Sequence, residues 1–498
     1  MSLEREAKLR VDAGFHMPDL SRPDDGWRAE TDHAAERSVS TYHDTDDLRL
    51  ARWGASLRYR TTDGWTVKLP HSTDGAVTAR QERTFEGSAG RPPSDAVDLV
   101  RAIVRGAAMG PVVRLQTVRH RTRIVGVTDG QPLAELVEDE VSVLDGRRIV
   151  ERFREVEFEL DREADASAIG PIVERLVDAG AQAASPVPKV VRALGGRAAK
   201  PADVVVPAIG PSSTVADVIS WAVAASTERL VAHDPSVRLG VDDEGVHQAR
   251  VATRRLRSDL RTFRSLLDGE WRDGLREELR WLGSELGAVR DLDVLGERLR
   301  VQAPSLPDDD APSTSSLLGR LRDARETART ELLSTMRGPR YVALLDALVD
   351  AAAHPRVLEE VADARADDVL GVVMDAPWAH LRKVCDGLGA GSTDEELHEA
   401  RIRAKRVRYA AEVLTPVFGK PARRFTRTAE SLQQVLGNHQ DAVMAIAWLR
   451  QASKGAAPDI AFTAGRLAGI DASLRDEARA EWPDVWAELR RRRLRFWE

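Results

Sequence analysis

Residues 4–8 read EREAK, and the fold of the first half of the chain turns on whether this stretch is helix or strand. On a helix, Glu4 and Lys8 form an ordinary i,i+4 ion pair on a solvated face. On a strand, where side chains alternate, Glu4, Glu6 and Lys8 share one face, and two carboxylates with an ammonium on one surface ask for a ligand. The surrounding texture favours strands. Up to about residue 195 the chain consists of short alternating segments broken by turn residues: SLRYR (56–60), WTVKLP (65–70), RHRTRIVGV (119–127), LAELVEDEVSV (133–143) and REVEFEL (154–160). Between them, SDAVDLVRAIV (94–104) and IGPIVERLVDAG (169–180) have helical spacing. The expectation is an α+β domain dominated by antiparallel strands.

Several of these strands put charge where a half-buried sheet would put apolar side chains: Arg58 and Arg60; Arg119, Arg121 and Arg123; Glu155, Glu157 and Glu159. One such strand is ordinarily a solvated outer face. Several in one domain also fit a closed or nearly closed sheet with a wet interior lined by cations and carboxylates. Arg and Lys there would bind a polyanion through charge-assisted hydrogen bonds, Arg presenting its planar fork to phosphate oxygens. Acidic clusters beside a polyphosphate repel it unless they hold Mg2+ or Mn2+. The pattern thus points to metal-assisted chemistry on a phosphoanhydride, with solvated faces as the competing reading.

At 498 residues the chain exceeds one ordinary core, so several domains are expected. The net charge of −7 argues against a general nucleic-acid coat, while 73 Lys and Arg leave room for local basic surfaces. The single cysteine, Cys385, excludes an intramolecular disulfide and a Cys-based zinc site. No run approaches the roughly 18 apolar residues of a membrane span. Charges begin at Glu4, where a signal sequence would be turning apolar. A cytoplasmic protein is expected, with no membrane partner and no sequence-specific nucleic acid. A homodimer is among the expected assemblies.

After residue 195 the texture changes. GGRAAKPADVVVPAIGPSS (195–213) reads as a Gly/Pro/Ser-rich linker, and helical spacing follows. The expected division is a strand domain over 1–195, a linker over 196–213 and a helical domain over 214–498, its repeat halves about 214–302 and 317–498. The duplication is visible directly. VHQARVATRRLRSDL (246–260) is echoed by LHEARIRAKRVRYAA (397–411), and WLGSELGAVRDLDVL (281–295) by SLQQVLGNHQDAVMA (431–445), both about 150 residues on. On a helix, His247, Arg250, Arg254, Arg257 and Arg261 form one polar stripe, with Leu256, Leu260, Phe263 and Leu267 on an apolar one. His398, Arg401, Lys405 and Arg408 repeat the stripe. A basic stripe is usually a solvated face, but like charges at this spacing repel, and their duplication suggests an anion that offsets them.

The ordered set in the strand half resembles the CYTH family, also called triphosphate tunnel metalloenzymes. The set comprises E-x-E-x-K, the R-x-R pair at 58–60, Lys68, Arg80 with Glu82, Arg119 with Arg121, Glu135 with Asp139, E-x-E-x-E at 155–159, and Lys189 with Arg192. The Y-x-D-T segment before the R-x-R strand is also similar. The resemblance implies an eight-stranded antiparallel tunnel acting on triphosphate-bearing substrates with Mg2+ or Mn2+. It implies that Lys8, Arg58, Arg60, Lys68, Arg80, Arg119 and Arg121 grip phosphates, with Lys189 and Arg192 helping from a C-terminal segment. Glu4, Glu6, Glu157 and Glu159 would hold the metal and position the attacking water, with Lys8 beside them on the phosphate chain. Asp139 and Glu155 are further candidate ligands.

The helical half resembles the CHAD domain, an α-helical module associated with inorganic polyphosphate. The resemblance rests on VHQARVATRRLR, VRDLDVL, LHEARIRAKRVRY and LQQVLGNHQDAV. It implies that the two stripes, from His247 to Arg261 and from His398 to Arg408, bind polyphosphate. Asp291 and Asp441 are expected to pair with them. The expected whole is an inorganic triphosphatase fused to a polyphosphate-binding module. The alternatives are thiamine-triphosphatase or class IV-type adenylate cyclase activity, or a non-catalytic polyphosphate-binding protein.

Overall fold

The computed structural model describes residues 2–12, 14–20, 26–74, 77–128, 130–161, 170–183 and 187–498; the side chains of residues 2–7, 33, 71–74 and 77–80 are not described. The chain divides into two units, Met1–Asp203 and Val204–Glu498.

The first unit is built on β1 (Ser2–Val11), β2 (Trp27–Thr45), β3 (Ser56–Arg60), β4 (Gly64–Asp74), β5 (Val77–Phe85), β6 (Met109–Gly126), β7 (Pro132–Asp145), β8 (Arg148–Leu160) and the two-residue β9 (Gln182–Ala183). The order β5-β4-β3-β2-β6-β7-β8-β1 closes on itself because β1 also pairs with β5, and β9 adds to the end of β1. Eight antiparallel strands therefore form a closed tunnel, and EREAK lies in its first strand. Closure leaves no exposed edge among these eight.

In β8, Val156, Phe158 and Leu160 are buried, and they pack with Leu9, Val11, Ile124 and Leu136 beneath Ile172 and Leu176. The last two belong to α4 (Gly170–Asp178), whose apolar face covers this outer side of the sheet. The alternate residues Glu155, Glu157 and Glu159 are thereby turned inward. The apolar face is outside and the charged face inside, the inverse of a protein packed around an oily sheet face.

Among the described residues, four further short helices belong to this unit: α1 (Arg49–Arg52), α2 (Ser94–Leu99), α3 (Arg101–Val104) and α5 (Lys189–Leu194). The buried Asp44 carboxylate accepts the backbone N–H groups of Thr45, Leu50 and Ala51, which fixes the turn into α1. The Y-x-D-T segment is thus a structural clasp. Val190 of α5 packs on Tyr42, Leu115, Val141, Val143 and Phe153, which seats the helix against the sheet.

The second unit is helical: α6 (Val215–Leu239), α7 (Glu244–Thr262), α8 (Gly269–Gln302), α9 (Ala311–Arg337), α10 (Pro339–Ala353), α11 (Glu359–Ala362), α12 (Ala366–Val369), α13 (Asp375–Asp386), α14 (Asp394–Phe418), α15 (Lys420–Ser453) and α16 (Pro458–Leu489). The duplicated motifs fall on α7 and α14 and on α8 and α15. Each repeat packs its helices in sequence, α6 on α7 on α8 on α9 and α13 on α14 on α15 on α16, and the repeats meet where α7 contacts α14 and α9 contacts α16. The N-termini of α6 and α14 carry capping boxes: Thr214 and Asp217 exchange bonds of 3.2 and 2.9 Å, Thr393 and Glu396 bonds of 3.3 and 2.8 Å. Leu256, Leu260, Phe263 and Leu267 of the expected apolar stripe are all buried. No helix among the described residues is long and apolar enough to cross a membrane.

Candidate active site and a basic pocket

The tunnel holds a cavity of about 190 Å3. Its described lining includes Lys8 from β1, Ser40 and Tyr42 from β2, Ser56, Arg58 and Arg60 from β3, and Lys68 from β4. Glu82 comes from β5, Thr117, Arg119 and Arg121 from β6, Asp139 from β7, Glu157 and Glu159 from β8, and Lys189 from α5. Strand alternation explains the set: 56, 58 and 60 share a face of β3, and 117, 119 and 121 share a face of β6. Ser56 and Thr117 follow from that rule and were not singled out by their charge. Ser40 and Tyr42 share a face of β2 by the same alternation; Tyr42 opens the Y-x-D-T segment, whereas Ser40 has no charge to single it out.

The cations meet carboxylates around the wall. Lys68 lies 3.1 Å and Arg58 3.5 Å from Glu82. Arg60 donates to Ser40 Oγ at 3.2 Å and to Asp63 at 2.9 Å, while burial and the neighbouring Arg58 charge lower its pKa. Arg121 pairs with Glu135 and, at 3.3 Å, with Glu36. Arg119 makes a two-pronged bond to Asp139, 2.9 and 2.8 Å, and lies 3.8 and 3.9 Å from Glu157 and Glu159.

Deepest is an acidic cluster. Asp139, Glu155 and Glu157 are all buried, each offering an oxygen within 4.8 Å of the others, a spacing that can hold a metal ion. Lys189 Nζ lies 2.6 Å from Asp139, 3.0 Å from Glu155 and 2.7 Å from Glu157, and Lys8 pairs with Glu157. Burial pushes all three carboxyls up. At Glu157 the charges of Lys189 and Lys8 outweigh it and hold the pKa well below the usual carboxylate range. At Asp139, Lys189 and Arg119 do the same more mildly, whereas Glu155, further loaded by the Glu157 charge, stays raised.

One expected position falls elsewhere. Arg192 stacks over Phe153, 4.1 Å from the ring centroid, and lines a separate groove with Arg10, Glu140, Arg152 and Arg154. It lies three residues beyond Lys189 on α5, and its guanidinium stays with Phe153 in this groove and is not among the residues lining the tunnel cavity. The side chains of Glu4, Glu6 and Arg80 lie outside the described residues. Their backbones are placed: Glu4 faces Arg80 across β1 and β5, and Glu6 faces Glu159 across β1 and β8.

In the second unit a cavity of about 570 Å3 opens between α7, α8, α14 and α15. Its basic side chains are His247, Arg250, Arg254, Arg290, Arg298, His398, Arg401 and Lys405. Arg250 pairs with Asp291 at 3.0 Å, and Arg401 with Asp441 at 3.5 Å, so the two repeats make matching pairs. His398 Nδ1 lies 2.7 Å from Gln440 Oε1. Arg254 sits 5.4 Å from the Tyr409 ring centroid, and burial lowers its pKa, with Arg408, Arg250 and Arg401 adding to the effect. Arg290 and Arg298 are contributed by α8 and were not in the stripe; only the packing of α8 on α7 brings them in.

Arg257, Arg261 and Arg408 are not among the lining residues of this pocket. Arg408 turns to Glu412 and donates to Gln433 at 2.8 Å. Burial lowers Arg261 to about 10, helped by Arg406, Arg276, Arg257 and Arg403, so Arg257 and Arg261 lie in a different group of cations.

Sequence comparison agrees with this architecture. The family model for the CYTH domain matches residues 2–198, and that for the CHAD domain matches residues 222–450. An uncharacterised protein of Mycobacterium tuberculosis is 33% identical over 485 residues, covering 89% of this chain and 88% of the relative. Among solved structures, PptA from Streptomyces chartreusis is 24% identical with a TM-score of 0.47, over 55% of this chain and 100% of that one. The CHAD domain of the plant Ricinus communis is also 24% identical with a TM-score of 0.47, over 57% of this chain and 95% of that one. CYTH domains belong to the metal-dependent triphosphate tunnel metalloenzymes, a family of phosphoryl-transfer and hydrolytic enzymes. The chain belongs to the CYTH–CHAD proteins, with a CYTH domain forming the tunnel and a CHAD domain forming the helical unit.

Proposed function

We propose that the tunnel hydrolyses inorganic triphosphate to pyrophosphate and phosphate with Mg2+ or Mn2+, and that the basic pocket of the helical unit binds inorganic polyphosphate. The described tunnel lining carries the reading: seven cations, Lys8, Arg58, Arg60, Lys68, Arg119, Arg121 and Lys189, stand among four carboxylates, Glu82, Asp139, Glu157 and Glu159. So many cations gathered in a closed, narrow wall suit a linear polyanion. Among the described lining residues Tyr42 is the only aromatic, which favours a substrate without a base or thiazole ring over ATP or thiamine triphosphate.

Arg58, Arg60, Lys68 and Arg121 line the wall and exchange their present partners for phosphate oxygens. Arg80 joins them on the sequence pattern. Lys8 lies beside the acidic set, where its ammonium can steady charge gathering on a phosphate oxygen as the bond breaks. Carboxylate oxygens suit a hard divalent cation, and Glu159 with Glu4 and Glu6 of β1 are the residues we assign to it and to positioning the water. Asp139, Glu155 and Glu157 complete the acidic set, already held by Lys189. When bound, the ion neutralises charge developing on the transferred phosphoryl group.

Glu4→Gln with Glu6→Gln is expected to lower phosphate release by about 100-fold or more, while triphosphate still binds; unchanged release would show that the tunnel carboxylates do no catalysis. In the helical unit, Arg250→Ala with Arg254→Ala is expected to weaken long-chain polyphosphate binding and to lower its salt slope by about one per lost contact. Affinity that neither falls nor depends on salt would contradict the assignment of the pocket.

A further inference from the structure

Lys189 stands where a cation in the acidic cluster would stand. Its ammonium nitrogen touches Asp139, Glu155 and Glu157 at 2.6, 3.0 and 2.7 Å, the same three carboxylates whose oxygens converge closely enough for an ion. The fold delivers it there deliberately. Pro188 precedes Lys189, and α5 is pinned by Val190 against Tyr42, Leu115, Val141, Val143 and Phe153. The ammonium is therefore brought by a packed helix and not by a loose tail.

Charge balance strengthens the point. Three carboxylates meet three cations: Lys189 on all of them, Lys8 on Glu157, and Arg119 in a two-pronged bond to Asp139. A divalent ion entering this cluster would stand against the Lys189 ammonium, which already touches all three carboxylates, and like charges so close in a buried place are costly. Replacing the ammonium by a neutral side chain removes that repulsion and leaves the carboxylates in want of a cation.

We propose that Lys189 is the resident cation of the Asp139–Glu155–Glu157 cluster, so that free divalent ions do not enter it and any ion the tunnel binds without phosphate sits on other carboxylates. The inference goes beyond the triphosphatase reading, since it concerns metal occupancy whichever anion the tunnel takes.

The test is Mn2+ titration of the full chain without phosphate, with bound and free ion distinguished by electron paramagnetic resonance. Lys189→Met is expected to bind one Mn2+ more per chain than the unsubstituted protein, and Lys189→Met with Asp139→Asn to lose the added ion. Equal stoichiometry with and without Lys189 in a folded variant would overturn the proposal. Should Lys189→Met fail to fold, Asp139→Asn alone decides. With Lys189 in place it is expected to leave Mn2+ stoichiometry and affinity unchanged, and loss of a bound ion would show that metal already occupies the cluster.

Discussion

At Lys405, burial and the charges of Arg401, Arg254 and Arg250 push the ammonium down to about 7, against the partial support of Asp441. The other charged and titratable groups of the pocket are His247, His398, Arg290, Arg298 and Asp291. In the free protein Lys405 is charged below about pH 7 and neutral above it. A bound polyanion favours the charged form and raises its pKa toward the ordinary lysine value, so binding takes up a proton between the two values. Polyphosphate affinity should then fall as pH rises through 7. Calorimetry in buffers of different ionisation enthalpy should show uptake approaching one proton at pH 8, abolished in Lys405→Arg. Burial also lowers the His247 pKa, so its contribution lies on the acid side, and uptake that survives in Lys405→Arg would reassign the effect to other groups.

At the level of elements, α8 and α15 each bring a glycine against the basic helix of their own repeat. A Cβ on Gly287 would collide with the Arg250 guanidinium, whereas one on Gly437 would only reach ordinary contact, 3.8 Å from Arg401 Nε. Gly287→Ala is thus expected to keep or raise thermal stability, because alanine favours helix by up to about 1 kcal/mol. It should nevertheless weaken polyphosphate binding by displacing Arg250, while Gly437→Ala leaves binding unchanged; equal affinity for both variants would contradict this placement. The stripe from His247 to Arg254 was legible from helical spacing, but its division was not. Spacing gives a direction on one helix and says nothing of the Glu412 and Gln433 that draw Arg408 aside. In the tunnel, period-two charge on β3, β6 and β8 was legible because Val156, Phe158 and Leu160 alternate with the glutamates. The strand β2 was missed: WRAETDHAAE carries little apolar alternation, and its extended form comes from pairing with β6 along its length. Nor could spacing place Lys189 on carboxylates of β7 and β8, a contact made only by the docking of α5.

For the molecule as a whole, two units with different architectures are read as holding the same chemical class, a phosphate chain, by different means. One encloses it in a wall of alternating charges; the other gathers two copies of a basic helix around a pocket. Ligand binding stabilises the native state locally, so hydrogen exchange should report each unit by itself. Triphosphate with Mg2+ is expected to slow exchange in β1, β3, β4, β6 and β8, and long-chain polyphosphate in α7, α8, α14 and α15. Polyphosphate protection confined to the strands would contradict the assignment of the helical pocket. The most direct test of the central claim is phosphate release by the purified protein from tripolyphosphate, thiamine triphosphate and ATP, each with Mg2+ or Mn2+ and again with a chelator. The account predicts fastest turnover of tripolyphosphate to pyrophosphate and phosphate, abolished by the chelator. Conversion of ATP alone to a cyclic nucleotide, or phosphate release indifferent to the chelator, would contradict it.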